Sequence, residues 1–155
     1  MIQSSGRIVK GFFLCYIYYI NNMVISPKNR AKHWRDSAER SWLVSKDLLK
    51  AKHYDACLFF CHLSIEKLLK GLVLLGTKKE SPHIHDLVRL AELAKLELPE
   101  NKFINLKIIT TFNIAGRYEE EKYSFYKKCT PAFTKKHFLI CQEIFLWLKK
   151  EYHQK

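Results

Sequence analysis

The 155 residues are 48% hydrophobic with only five Gly and four Pro, which excludes a disordered or collagen-like chain and suits one helix-rich domain with its own core. Twenty-seven Lys and Arg against fifteen Asp and Glu leave a formal charge of +12, which favours polyanionic partners such as nucleotides, nucleic acid, an acidic protein or a membrane surface. Cys15, Cys57, Cys61, Cys129 and Cys141 form no CxxC pair, so a secreted disulfide scaffold is not indicated and a cytoplasmic location is expected.

At the N-terminus, Arg7 and Lys10 precede the apolar run GFFLCYIYYI. The run mimics a leader but is too short for a membrane span, and no small-residue cleavage site follows it. The simpler reading is a natural start at Met23, with residues 1–22 an upstream extension whose removal takes only Arg7 and Lys10 from the charge surplus. Residues 1–30 are therefore read as an extension and 31–152 as the domain. No membrane association is expected for residues 31–155.

From Ala31 to Lys52 the apolar spacing is helical, through Trp34, Ala38, Trp42, Ser45 and Leu49, with Leu43, Leu48 and Ala51 widening the face. The short link Lys52–His53 makes the next helix an antiparallel neighbour. That helix, residues 54–75, is apolar over most of its circumference and is expected at the centre. It carries one polar stripe: Asp55, His62, Glu66 and Lys70 fall within roughly 80° of one another on the helix surface. Buried polar groups need partners, so the stripe is either a structural network or part of a site.

Gly76 reads as the stop, and Thr77–His85 as a loop. Asp86 is placed to cap a short helix, DLVRLAELAKLEL, with Leu87, Leu90, Ala91 and Ala94 inward and Pro99 ending it. A further helix covers Glu100–Asn113, with Phe103, Leu106, Ile109 and Thr110 inward. Residues 116–130 show no clean period and read as a loop with at most one helical turn. Pro131 suits the first turn of a last helix capped by Thr130, running to about Tyr152 through Phe138, Cys141, Gln142, Phe145 and Leu148. No segment reads as a strand. The expected fold is all-α, an up-and-down bundle of four to five helices.

Four features in this order resemble the HEPN domain family. They are Tyr54 and Asp55 with Ile65, Glu66, Lys67, Leu69 and Lys70 on one helix; His85, Asp86, Leu87 and Leu90; Arg117 followed by Tyr118; and a closing amphipathic helix. The resemblance implies a bundle that forms a homodimer, with a ligand cleft near the dimer interface and a minimal nucleotidyltransferase as a separate partner polypeptide. Many members are ribonucleases or toxins that carry Arg, then four to six intervening residues, then His. Here Arg117 is followed at those positions by Lys122, Tyr123 and Ser124, and the nearest later histidine is His137. The departure favours a nucleotide- or RNA-binding partner of a nucleotidyltransferase in a toxin–antitoxin-like pair. Two alternatives stand beside it. One is a ribonuclease with a variant active site built on Arg117 and His62 or Tyr123. The other is an interaction module docking an acidic partner.

The candidate phosphate-binding residues are Arg117, Tyr118, Glu66 and Lys70. An Arg can grip phosphate bidentately, and Glu66 could orient it, forming a buried pair with Arg117 or hydrogen-bonding His62. Tyr118, Tyr123, Phe125 and Tyr126 alternate with Lys122, Lys127 and Lys128, a mixture suited to phosphate contact and base stacking. His85, two residues after His83, is expected to hydrogen-bond and close its loop onto the bundle. No paired-ligand spacing indicates a metal, and no cofactor is expected.

Overall fold

The computed structural model describes residues 26–114 and 117–154. Within them lie six helices and no strand: α1 (Pro27–Lys50), α2 (Tyr54–Thr77), α3 (Leu87–Leu93), α4 (Glu100–Thr110), α5 (Glu119–Lys128) and α6 (Pro131–Glu151). The readings on residues 1–22 lie outside the described residues.

Contacts between the long helices give the topology. Lys67 reaches Ser41 and Lys70 lies over Trp34, so α1 and α2 run antiparallel. Lys102 meets Trp147 while Phe112, just past α4, meets His137, so α4 opposes α6. Trp42 stacks on both Phe138 and Phe145, with centroids 5.0 and 4.8 Å away, and Lys149 pairs with Glu39, so α6 also opposes α1. The four bundle helices α1, α2, α4 and α6 therefore run up, down, up, down, with α3 and α5 in the connections.

Local sequence sets the ends. Ser26 Oγ accepts from the Asn29 N–H ahead of Pro27, and Thr130 Oγ1 accepts from the Phe133 N–H ahead of Pro131. Asp86 Oδ1 accepts from the N–H groups of Val88 and Arg89. The stop of α2 falls on Lys78 rather than Gly76: Lys78 takes the left-handed conformation at φ 60°, and its ammonium bonds the Leu75 carbonyl. The third helix is shorter than its sequence pattern, because the chain turns at Ala94 and Lys95, where φ is 54°.

The core is built on α2, whose Leu58, Ile65, Leu68, Leu69, Leu72 and Leu74 are all fully enclosed. Each such side chain contributes about 2 kcal/mol by leaving water. Cys57, Cys61 and Cys141 meet there as free thiols, and burial together with a hydrogen bond to Cys141 pushes the Cys61 thiol far above its ordinary range. Leu87, Leu90, Ala91 and Ala94 are buried as their spacing predicts.

Four expectations fail on the surface. Leu43 and Ala51 are exposed, because α1 buries only the narrower stripe of Ala31, Ala38, Ser41, Trp42 and Ser45. Phe103 is exposed, because the short α4 turns only Leu106 and Ile109 fully inward. Phe112, beyond the helix end, fills the core instead, against Phe125, Phe133 and His137. Gln142 faces out beside buried Cys141.

Candidate functional site

The polar stripe of α2 closes around one carboxylate. Glu66, 4% exposed, sits one turn from His62 and one turn from Lys70. Lys70 Nζ lies 2.7 Å from Oε1; His62 Nε2 and His85 Nδ1 lie 3.0 and 2.9 Å from Oε2. Burial pushes Glu66 up, but the hydrogen bonds from His62, Lys70 and His85 and the charge of Lys70 outweigh it and hold the carboxyl down at about 2. The other ring nitrogen of His62 faces the Ile109 carbonyl at 3.2 Å. Both nitrogens of His62 thus meet acceptors, and both bonds form only when each nitrogen carries a proton.

This network joins three elements. His62 ties α2 to the end of α4, and His85 ties α2 to the loop before α3, as the expectation for that loop holds. Lys70 spans back toward α1, with its ammonium 5.9 Å from the centre of the Trp34 ring. Beside it, Lys67 Nζ donates to Ser41 Oγ at 2.8 Å, and burial together with Arg40 lowers its proton affinity.

Arg117 stands elsewhere. Its Nε donates to the Asn113 carbonyl at 2.9 Å and Nη2 to the Thr111 carbonyl at 2.8 Å, while Glu121 approaches Nε at 4.0 Å. The expected Glu66–Arg117 pair is not formed: the α2 carboxylate is filled by His62, Lys70 and His85, and the guanidinium caps the last carbonyls after α4. Sequence reasoning missed this cap because its acceptors are main-chain atoms.

The stretch read as a loop is helix α5. Its periodicity is weak because Phe125 alone among its residues is buried. The missed signal is charge order: Glu119, Glu120 and Glu121 fill the first turn and Lys127 and Lys128 the last, complementing the helix dipole. Tyr118 leads into the helix 80% exposed. Tyr123 and Tyr126 project from it as stacked rings 6.4 Å apart at 14°, with Lys127 Nζ 4.4 Å from the Tyr123 centroid. Lys122 neutralises Glu119 at 2.7 Å.

The structure therefore brings Glu66, Lys70, His62 and His85 together in a largely enclosed network. It places Arg117 and Tyr118 at the start of an exposed aromatic and basic surface. Among the described residues no group of three His, Cys, Asp or Glu is arranged to hold a metal, and no helix is long and apolar enough to cross a membrane.

The sequence model of the HEPN domain matches residues 31–152. The chain belongs to the HEPN domain family. Two solved structures share its fold. The protein TT1696 from Thermus thermophilus is 21% identical with a TM-score of 0.65, over 79% of this chain and 98% of its own. ST0689, an archaeal HEPN homologue, is 18% identical with a TM-score of 0.61, over 78% of this chain and 96% of its own. No curated protein is significantly similar in sequence. Within this HEPN fold His62 is 1% exposed and locked between Glu66 and a carbonyl, a position suited to holding helices together rather than to meeting a substrate.

Proposed function

We propose that this HEPN domain binds RNA or a nucleotide along the Arg117–α5 surface, as the homodimeric partner of a separate nucleotidyltransferase in a toxin–antitoxin-like pair. One observation carries the ligand reading: Tyr123 and Tyr126 are 59% and 60% exposed and stacked, with Lys127 over Tyr123. Aromatic rings left in water at such a cost in apolar exposure are suited to base stacking, and flanking lysines supply phosphate contacts. Glu119 and Glu121 oppose phosphate less than their number suggests, since Lys122 and Arg117 face them. The partnership and the homodimer rest on family membership.

A labelled single-stranded RNA of about twelve nucleotides tests the reading by fluorescence anisotropy. Binding should weaken about tenfold or more in Tyr123→Ala/Tyr126→Ala and fall with added salt. Equal binding by that double variant would sink the assignment. Co-expression with the product of a neighbouring nucleotidyltransferase gene, followed by size-exclusion chromatography, tests the partnership, and failure to co-elute counts against it.

A further inference from the structure

The paired tyrosines of α5 adjoin a recess. The Lys52–His53 link, the first turn of α2 and the end of α5 border a cavity of about 360 Å³, within the range that holds a small ligand. Tyr126 and Lys127 line it from α5, so it is continuous with the Tyr123–Tyr126 stack. Cys129, 5% exposed, lines it too. Burial and the nearby charge of Asp55 push this thiol up to about 12, which keeps it neutral. Lys52 and Asp55 supply opposite charges to the same lining. Among the described residues, the side chains of both are without a salt bridge or hydrogen bond.

A carboxylate is out of place on a surface that only grips phosphate, because it repels the backbone. It is well suited to reading a base, whose Watson–Crick edge offers hydrogen-bond donors. Guanine alone presents two adjacent donor groups there, N1–H and the N2 amino group, which match the two oxygens of a carboxylate. Its neighbouring O6 accepts and suits an ammonium. Adenine and cytosine set one amino group beside an acceptor nitrogen, and uracil has one N3–H between two carbonyl oxygens. Building on the RNA reading of the α5 surface, we propose that this cavity receives a guanine base from a single strand held on Tyr123 and Tyr126. Asp55 accepts from N1–H and the N2 amino group, and Lys52 donates to O6.

Asp55 also stands in the first turn of α2, where a carboxylate complements the helix dipole. That role is blind to the base, so a ratio of affinities separates the two. Fluorescence anisotropy of the full chain with labelled twelve-nucleotide oligouridylates, each carrying one central guanosine, inosine or adenosine, supplies the ratio. Guanosine should bind about tenfold tighter than adenosine, an equally large stacking partner. Inosine, which lacks the N2 amino group, should fall between them. Asp55→Asn should bring the guanosine-to-adenosine ratio to about twofold or less, whereas Asp36→Asn, the same change elsewhere on α1, should preserve it. The inosine comparison needs no variant and decides the contact even where Asp55→Asn loses its helical circular dichroism. Equal binding of guanosine and adenosine, or a ratio that survives Asp55→Asn, would overturn the assignment while leaving the α5 surface as an RNA site. Inosine as tight as guanosine would overturn the paired contact. Absence of binding by every oligomer would overturn both readings. GMP binding as tightly as the guanosine oligomer would assign the cavity to a free nucleotide instead.

Discussion

The Glu66 carboxylate and the His85 ring, nineteen residues apart in sequence, meet at 2.9 Å. Through this bond the enclosed face of α2 reaches the loop that launches α3. With His62 bonded both to Glu66 and to the end of α4, one carboxylate fixes the mutual position of three segments.

Removing that carboxylate's charge leaves the buried Lys70 ammonium without its counter-ion. Glu66→Gln should lower unfolding free energy by about 3 kcal/mol, read from urea denaturation. His85 is 63% exposed at its side chain, so His85→Ala should cost no more than about 1 kcal/mol. Equal effects of the two would contradict a network centred on Glu66.

The same group sets an acid limit. Folded, Glu66 holds its proton only near pH 2; unfolded, it does so near the ordinary 4.5. The unfolded state thus binds more protons between these values. The contribution of Glu66, about 3 kcal/mol, is intact above about pH 4.5 and lost as pH falls through about 2. Thermal melts from pH 7 to pH 2 should show this loss, and Glu66→Gln should flatten it.

Much of this network was legible. Spacings of four along α2 place His62, Glu66 and Lys70 on one face, and helix geometry brings such neighbours together. The bundle followed from long apolar periods and short links. What stayed hidden has physical reasons. Helix α5 buries one side chain and is specified by charge order rather than periodicity. The hydrogen-bond acceptors of Arg117 are carbonyls, which no side-chain pattern encodes. Lys28, Lys32, Arg35, Lys78 and His153 line one cavity, a grouping that only the closed bundle brings together.

Gly71 faces the tail of α6. A Cβ there would collide with the Tyr152 hydroxyl and lie 3.0 Å from Trp34 Cβ. Alanine is the better helix former by about 1 kcal/mol, but the overlap outweighs this, because Tyr152 is held by its bond to Leu68. Gly71→Ala should therefore destabilise by about 2 kcal/mol, and the penalty should shrink in a Tyr152→Phe background. Identical penalties in both backgrounds would show that the hydroxyl is not the obstacle.

Arg117 satisfies two carbonyls beyond α4. Arg117→Ala should cost about 1–2 kcal/mol in chemical denaturation. Amide exchange should quicken around Thr111–Asn113 while α2 stays protected. Unchanged stability would remove its capping role.

The Tyr152–Leu68 bond spans 84 residues. During synthesis α1 and α2 can pair as soon as α2 has left the ribosome, but the groove beside Gly71 stays open until α6 arrives. Completion of this domain is thus a late event in the life of the nascent chain. Until then the apolar flank of α2 is the surface that a chaperone, or a second unfinished chain, would meet first.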